Sequence, residues 1–143
     1  MVKIYVSSTF EDLKECREKV RLVLRQMNHE DVAMEYYVAE DRRPVDKCLE
    51  DVATCDLYVG IFAWRYGHIP SGYDKSITEL EYRKAVETKK ECLIFLLKED
   101  APWPPKFVDK DDNAKKIAVF CWNHRGSKMW QRTLPIHTIP ILF

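Results

Sequence analysis

Asp56-Leu57-Tyr58-Val59-Gly60-Ile61-Phe62 is the stretch that decides the fold. From Leu57 it is apolar on successive residues, and a strand that shows neither face to water belongs at the centre of a parallel sheet covered on both sides. Cys92 to Leu97 repeats the pattern. Between the two runs lies Ser76-Ile77-Thr78-Glu79-Leu80-Glu81-Tyr82-Arg83-Lys84-Ala85, where Ile77, Leu80 and Ala85 fall at helical spacing. Glu81 lies among them, midway between Ile77 and Ala85. A charge aimed at a packed surface is costly unless it is paired or functional, so Glu81 is the residue to explain. Glu79 sits off the stripe, where a solvated helix residue is expected.

The same alternation extends towards the N-terminus. Ile4-Tyr5-Val6 is a short β-type run closed by Ser7-Ser8-Thr9, and Ser8 with Glu11, or Thr9 with Asp12, has capping-box spacing. Leu13, Cys16, Val20, Leu24 and Met27 then mark an amphipathic helix, broken by Asn28-His29-Glu30-Asp31. Val32 to Ala39 reads as the second strand. After the charged turn Glu40-Asp41-Arg42-Arg43, Pro44 opens a helix whose Val45, Cys48, Leu49 and Val52 face inward.

Beyond Leu97 come Pro102, Pro104 and Pro105, a charged segment at Asp109 to Asp112, and a fifth strand expected at Ile117 to Trp122. Five strands alternating with helices predict a doubly wound, three-layer α/β sandwich with a five-stranded parallel sheet of order 2-1-3-4-5. This domain is expected to span residues 1–122. Residues 123–143, with Gly126, Pro135 and Pro140, read as an irregular segment packed on an edge or as the end of a truncated chain.

A chain of 143 residues with 46% hydrophobic and 32% charged residues suits one folded domain and argues against disorder. Its 23 basic and 23 acidic residues cancel, so no global charge draws it to nucleic acid or an anionic membrane. No apolar run is long enough to span a bilayer, and the N-terminus does not read as a signal peptide. Five cysteines without a CxxC pair read as free thiols in a reducing, cytoplasmic setting. Four scattered histidines give no metal-ligand spacing, and neither GxGxxG nor a Walker lysine loop is present.

In open α/β sheets, ligands bind beyond the carboxyl ends of the strands. Three segments converge there: Ser7-Ser8-Thr9-Phe10, Asp41-Arg42-Arg43, and Ala63 to Lys75 with Trp64 and Tyr66. They offer hydroxyls, a helix N-terminus for phosphate, arginines and stacking surfaces beside Glu81. Each also has a plainer reading: Ser8 and Thr9 as helix caps, Asp41 to Arg43 as a solvated turn, Trp64 and Tyr66 as loop packing, and Glu81 as a partner of Arg65, Arg83 or Lys84.

Lys3 to Leu13, Asp56 to Phe62 with Trp64-Arg65-Tyr66-Gly67, and Ser76 to Tyr82 together resemble a TIR-like domain of unknown function found ahead of NACHT ATPase modules and tetratricopeptide or WD repeats. The resemblance implies a flavodoxin-like fold, self-association, and NAD or a related nucleotide as ligand, with no resident cofactor. Catalytic TIR domains cleave the nicotinamide–ribose bond of NAD with a glutamate on the third helix. Thr78, Glu81 and Ala85 match its spacing, which carries the catalytic role to Glu81. The same likeness assigns ligand contacts to Ser7, Ser8, Thr9 and Phe10, and a mobile self-association loop to Asp41 to Pro44. Trp64 would supply a ring surface, because Ile77 stands where catalytic members often carry an aromatic. The alternatives are a non-catalytic, self-associating adaptor and a nucleoside deoxyribosyltransferase-like enzyme, which shares the architecture and the single glutamate.

Overall fold

The computed structural model describes residues 1–34, 44–97 and 100–126. Strands and helices alternate as β1 (Lys3–Ser7), α1 (Lys14–Gln26), β2 (Glu30–Val32), α2 (Pro44–Thr54), β3 (Leu57–Phe62), α3 (Ile77–Glu87) and β4 (Glu91–Leu96), and after a short 3-10 turn α4 (Asp111–Gly126) follows. The sheet is parallel throughout, in the order β2-β1-β3-β4. Ile4 lies opposite Leu57, and Ser7 opposite Gly60; Phe62 lies opposite Leu96. All four strands therefore end on one rim.

Alternation along the strands separates two cores. Ile4, Val6, Val59 and Ile61 face α1, where Cys16, Val20 and Leu24 cover them. Tyr5 and Tyr58 face the other way, onto Cys48 and Val52 of α2 and Ala85 of α3. Each fully buried aliphatic side chain contributes about 1.5–3 kcal/mol relative to exposure. A third cluster joins Phe62 and Tyr66 to Ile117 and Phe120 of α4.

This is the expected α/β architecture, with four strands among the described residues where five were expected. The segment Ile117 to Trp122, expected as a fifth strand, lies inside α4. Its buried residues Ile117 and Phe120 are three apart, and Val119 between them is 59% exposed. A strand would have put 117 and 119 on one face. α4 runs on to Gly126.

The second strand also differs. β2 begins at Glu30, two residues before the expected start at Val32, and is described to Val32; residues 35–39 of the expected Val32 to Ala39 strand lie outside the described residues. Asp31 enters the sheet because its carboxylate accepts from Arg21 Nε at 2.9 Å and Arg25 Nε at 2.8 Å. These partners from α1 offset the cost of burying a charge. The capping expectation is corrected too: α1 starts at Lys14 with no side-chain cap, and Thr9 Oγ1 donates to the Asp12 side chain at 2.5 Å instead of capping a backbone N–H.

Candidate functional site

The strand alternation that points Tyr5 towards α2 and α3 also points Ser7 there. Glu81, on the second turn of α3, receives both. Tyr5 donates its hydroxyl to Glu81 Oε1 at 3.0 Å, and Ser7 Oγ donates to Oε2. The carboxylate is 5% exposed. α3 is started cleanly by Ser76, whose hydroxyl accepts from the Glu79 N–H at 3.3 Å. That cap fixes the helix phase which turns Glu81 inward.

Below the carboxylate the Tyr5 and Tyr58 rings stack at 6.2 Å with 8° between their planes. Among the described residues the Tyr58 hydroxyl has no partner within good hydrogen-bond geometry. Burial, with the charge of Glu81 second, holds that phenol well above its ordinary range, although Ser7 lies close enough to pull it down. Burial and then Glu81 push the neighbouring Cys48 thiol up to about 12, so it is not a thiolate nucleophile at neutral pH. Glu81 itself is raised by burial, against the opposing pull of Ser7, Tyr5, Arg17 and Cys48.

Arg17 is the residue that sequence reasoning missed. It is 1% exposed. Its Nη1 donates to Ser8 Oγ at 2.8 Å and its Nη2 to the Val6 carbonyl at 3.3 Å. The signal was present: Arg17 follows Leu13 by four residues and precedes Val20 by three, on the apolar stripe of its helix. Tyr5 had a signal as well, because it shares its strand face with Ser7.

The other expected site residues divide. Ser8 Oγ also donates to the Thr9 carbonyl at 2.7 Å. Thr9 and Thr78 meet at Gly67, whose φ of +93° suits glycine. A Cβ there would lie 3.0 Å from Thr9 Cγ2 and 3.7 Å from Thr78 Oγ1. Phe10 is half-buried, with Lys14 Nζ 5.0 Å from its ring centre.

Tyr66 is not a stacking platform. Its ring is buried with Phe62, Ile117 and Phe120, and its hydroxyl donates to Glu79. Glu79 in turn is 8% exposed and accepts from Arg83 Nη2 at 2.7 Å, so the expectation of a solvated Glu79 is overturned. Arg83, one of the expected partners of Glu81, pairs with Glu79 instead. Trp64 lines a separate apolar groove of about 180 Å³ with Ala114, Ile117, Ala118 and Cys121 of α4. Asp41 and Arg42 lie outside the described residues. Among the described residues no group of three or more His, Cys, Asp or Glu side chains could hold a metal, and no helix is long and apolar enough to cross a membrane.

Residues 3–134 match the family described as a domain of unknown function (DUF4062). The chain belongs to that family. This DUF4062 domain is also 22% identical to the telomerase protein component 1 of Mus musculus over 155 aligned residues, which cover 79% of the chain. It spans only 6% of the length of that relative. Two solved structures share the fold. The 2-deoxyribosyltransferase of Bacillus psychrosaccharolyticus aligns with a TM-score of 0.54 at 19% identity, over 80% of this chain and 89% of that one. The 2-deoxyribosyltransferase of Leishmania mexicana aligns at 0.51 and 13%, over 79% and 81%. The DUF4062 chain thus has a flavodoxin-like arrangement of its four parallel strands.

Proposed function

We propose that this domain breaks and makes the N-glycosidic bond of a nucleoside, as a deoxyribosyl transferase does, with Glu81 as the reacting carboxylate. One observation carries the reading: a glutamate on α3, isolated among apolar residues, is held by two hydroxyls at the carboxyl end of the central strand β1. Ligands of open parallel sheets bind at that rim. The fold likeness to two 2-deoxyribosyltransferases supports the same bond type.

The chemistry needs few groups. A Glu81 oxygen bonds to the anomeric carbon as the carbon–nitrogen bond breaks, and the bonding pair leaves with the base, which takes up a proton. A second base then attacks the same carbon through nitrogen, loses a proton, and returns the carboxylate; water in its place gives the free sugar. The departing base leaves an oxocarbenium-like sugar, which a nearby carboxylate stabilises electrostatically. Tyr5 and Ser7 aim the oxygens. Because both oxygens are engaged, the sugar gains its contact by displacing a hydroxyl, and rotation of Ser7 about χ1 frees Oε2.

The test is base exchange followed by chromatography: a 2′-deoxynucleoside with a free acceptor base, wild type beside Glu81→Ala and Glu81→Gln. A new nucleoside, or free sugar and base, is expected from the wild type and from neither variant. NAD carries the same type of bond between ribose and nicotinamide and belongs in a parallel arm. Nicotinamide release there, without base exchange, would move the substrate to NAD and keep the role of Glu81. No turnover in either arm, with the fold intact, overturns the catalytic reading and leaves a self-associating module.

A further inference from the structure

We propose that Arg17 is a positioning residue of the Glu81 site, acting through the two neighbours of Ser7. This rests on the proposed role of Glu81. The geometry is specific: one guanidinium nitrogen holds the Ser8 hydroxyl, another holds the Val6 carbonyl, and Ser7, clasped between them, donates to Glu81. Arg17 comes from the helix layer on one side of the sheet, and Glu81 from the layer on the other. Both make their hydrogen bonds to the carboxyl-end half of β1 and the residue after it.

Arg17 is buried on the apolar stripe of its helix, where a well-packed hydrophobic side chain would often serve stability as well. Planar and permanently charged, the guanidinium fixes two acceptors at once, which the single ammonium of lysine does not reproduce. Against the larger effect of burial, its positive charge also pulls the Glu81 carboxyl down, behind the hydrogen bonds of Ser7 and Tyr5. Among the described residues the Tyr5 phenol on β1 also faces that carboxylate, as do the Tyr58 phenol on β3 and the Cys48 thiol on α2, both of which burial raises so that they are neutral near pH 7. Arg17 is therefore the charged group in the set that favours the ionised, nucleophilic form.

The test reads the carboxyl directly. Protein labelled with 13C at the glutamate side-chain carboxyl is titrated by NMR, and the Glu81 signal is assigned by its loss in Glu81→Gln. Wild type, Arg17→Lys and Arg17→Met are compared without substrate. The expected order of Glu81 midpoints is wild type lowest, Arg17→Lys higher, Arg17→Met highest. Amide exchange of Ser8 and Thr9 is expected to quicken in both variants. Should Arg17→Met fail to fold, Arg17→Lys decides alone, because its charge is drawn back from β1 and the midpoint still rises. An unchanged Glu81 midpoint in a folded variant overturns the proposal. The titration involves no turnover, so its outcome is separate from that of the base-exchange assay. Where turnover is found, the acid limb of the pH–rate profile is expected to move up with the midpoint, as loss of a purely structural residue would not cause.

Discussion

Tyr66, in the loop after β3, donates its hydroxyl to Glu79 on the first turn of α3, and Arg83 completes the carboxylate's partners one turn later. The bond fastens the rim loop to the helix that carries Glu81. Burial, and then the bond to Glu79, raises the Tyr66 phenol above its ordinary range, so it remains a donor throughout the neutral range.

Tyr66→Phe keeps the ring in its cluster and removes only the hydroxyl, leaving a buried carboxylate one partner short. Such a loss costs about 1–3 kcal/mol. Urea denaturation is expected to show a lower midpoint with an unchanged slope. A midpoint equal to wild type would mean the bond contributes nothing net.

Glu81→Gln has a pH signature. The folded carboxyl is raised above its ordinary value of 4.5, chiefly by burial. A raised carboxyl contributes stability that is fully present below the unfolded value and is lost as pH rises through the folded one. Replacing it with a neutral amide removes that dependence. The melting temperature of Glu81→Gln relative to wild type is expected to climb as pH rises above the ordinary value of 4.5 and to level off once the folded carboxyl has ionised. A difference that stays flat, or falls, contradicts the burial of an ionisable Glu81.

Gly60 sits where β3 crosses between aromatic rings. An added Cβ would meet Phe62 Cζ at 2.7 Å, Ile94 Cδ1 at 2.9 Å and Tyr58 Cε1 at 3.1 Å. Overpacking a core this way costs about 1–3 kcal/mol. Gly60→Ala is expected to destabilise by that amount in denaturant titration, although alanine is otherwise the better strand residue.

The helical state of α4 is tested by a pair of substitutions. Ile117 is buried against Phe62 and Tyr66, whereas Val119 is exposed. Ile117→Asp is expected to cost more than about 3 kcal/mol, and Val119→Asp to stay within about 0.5 kcal/mol. Equal effects at both positions would fit a strand, in which the two share a face.

The central place of β3 was legible because Leu57 to Phe62 is apolar without interruption, a pattern that fits few other arrangements. Glu81 was legible from one rule: a charge on an apolar helix stripe. Applied to α1, the same rule finds Arg17, which was passed over among the hydrophobic positions. Glu79 was not legible, because its burial comes from Tyr66, a loop residue folded back over the helix, and no periodicity within α3 encodes that. The fifth strand was misread from a run of Ile, Val and Phe. The helical pattern lay one turn earlier, in Ala114, Ile117, Ala118 and Cys121, which line one groove, behind the acidic first turn at Asp111 and Asp112. Pairing of Asp31 by Arg21 and Arg25 spans a turn, and its effect on where β2 begins depends on a contact that only folding creates.

β1 lies in the middle of the sheet, yet it precedes both of its neighbours in the chain. During synthesis it is therefore made with both edges open. β2 covers one edge first, but the other waits for β3, and Tyr5 and Ser7 find their acceptor only after a further stretch of more than seventy residues has emerged. Contacts so distant in sequence close late and slowly. A nascent chain halted before α3 would carry two buried-type hydroxyls and an unpaired central strand, and such an intermediate is prone to aggregate. Completion of β1's partners thus waits on the arrival of the segment bearing Glu81.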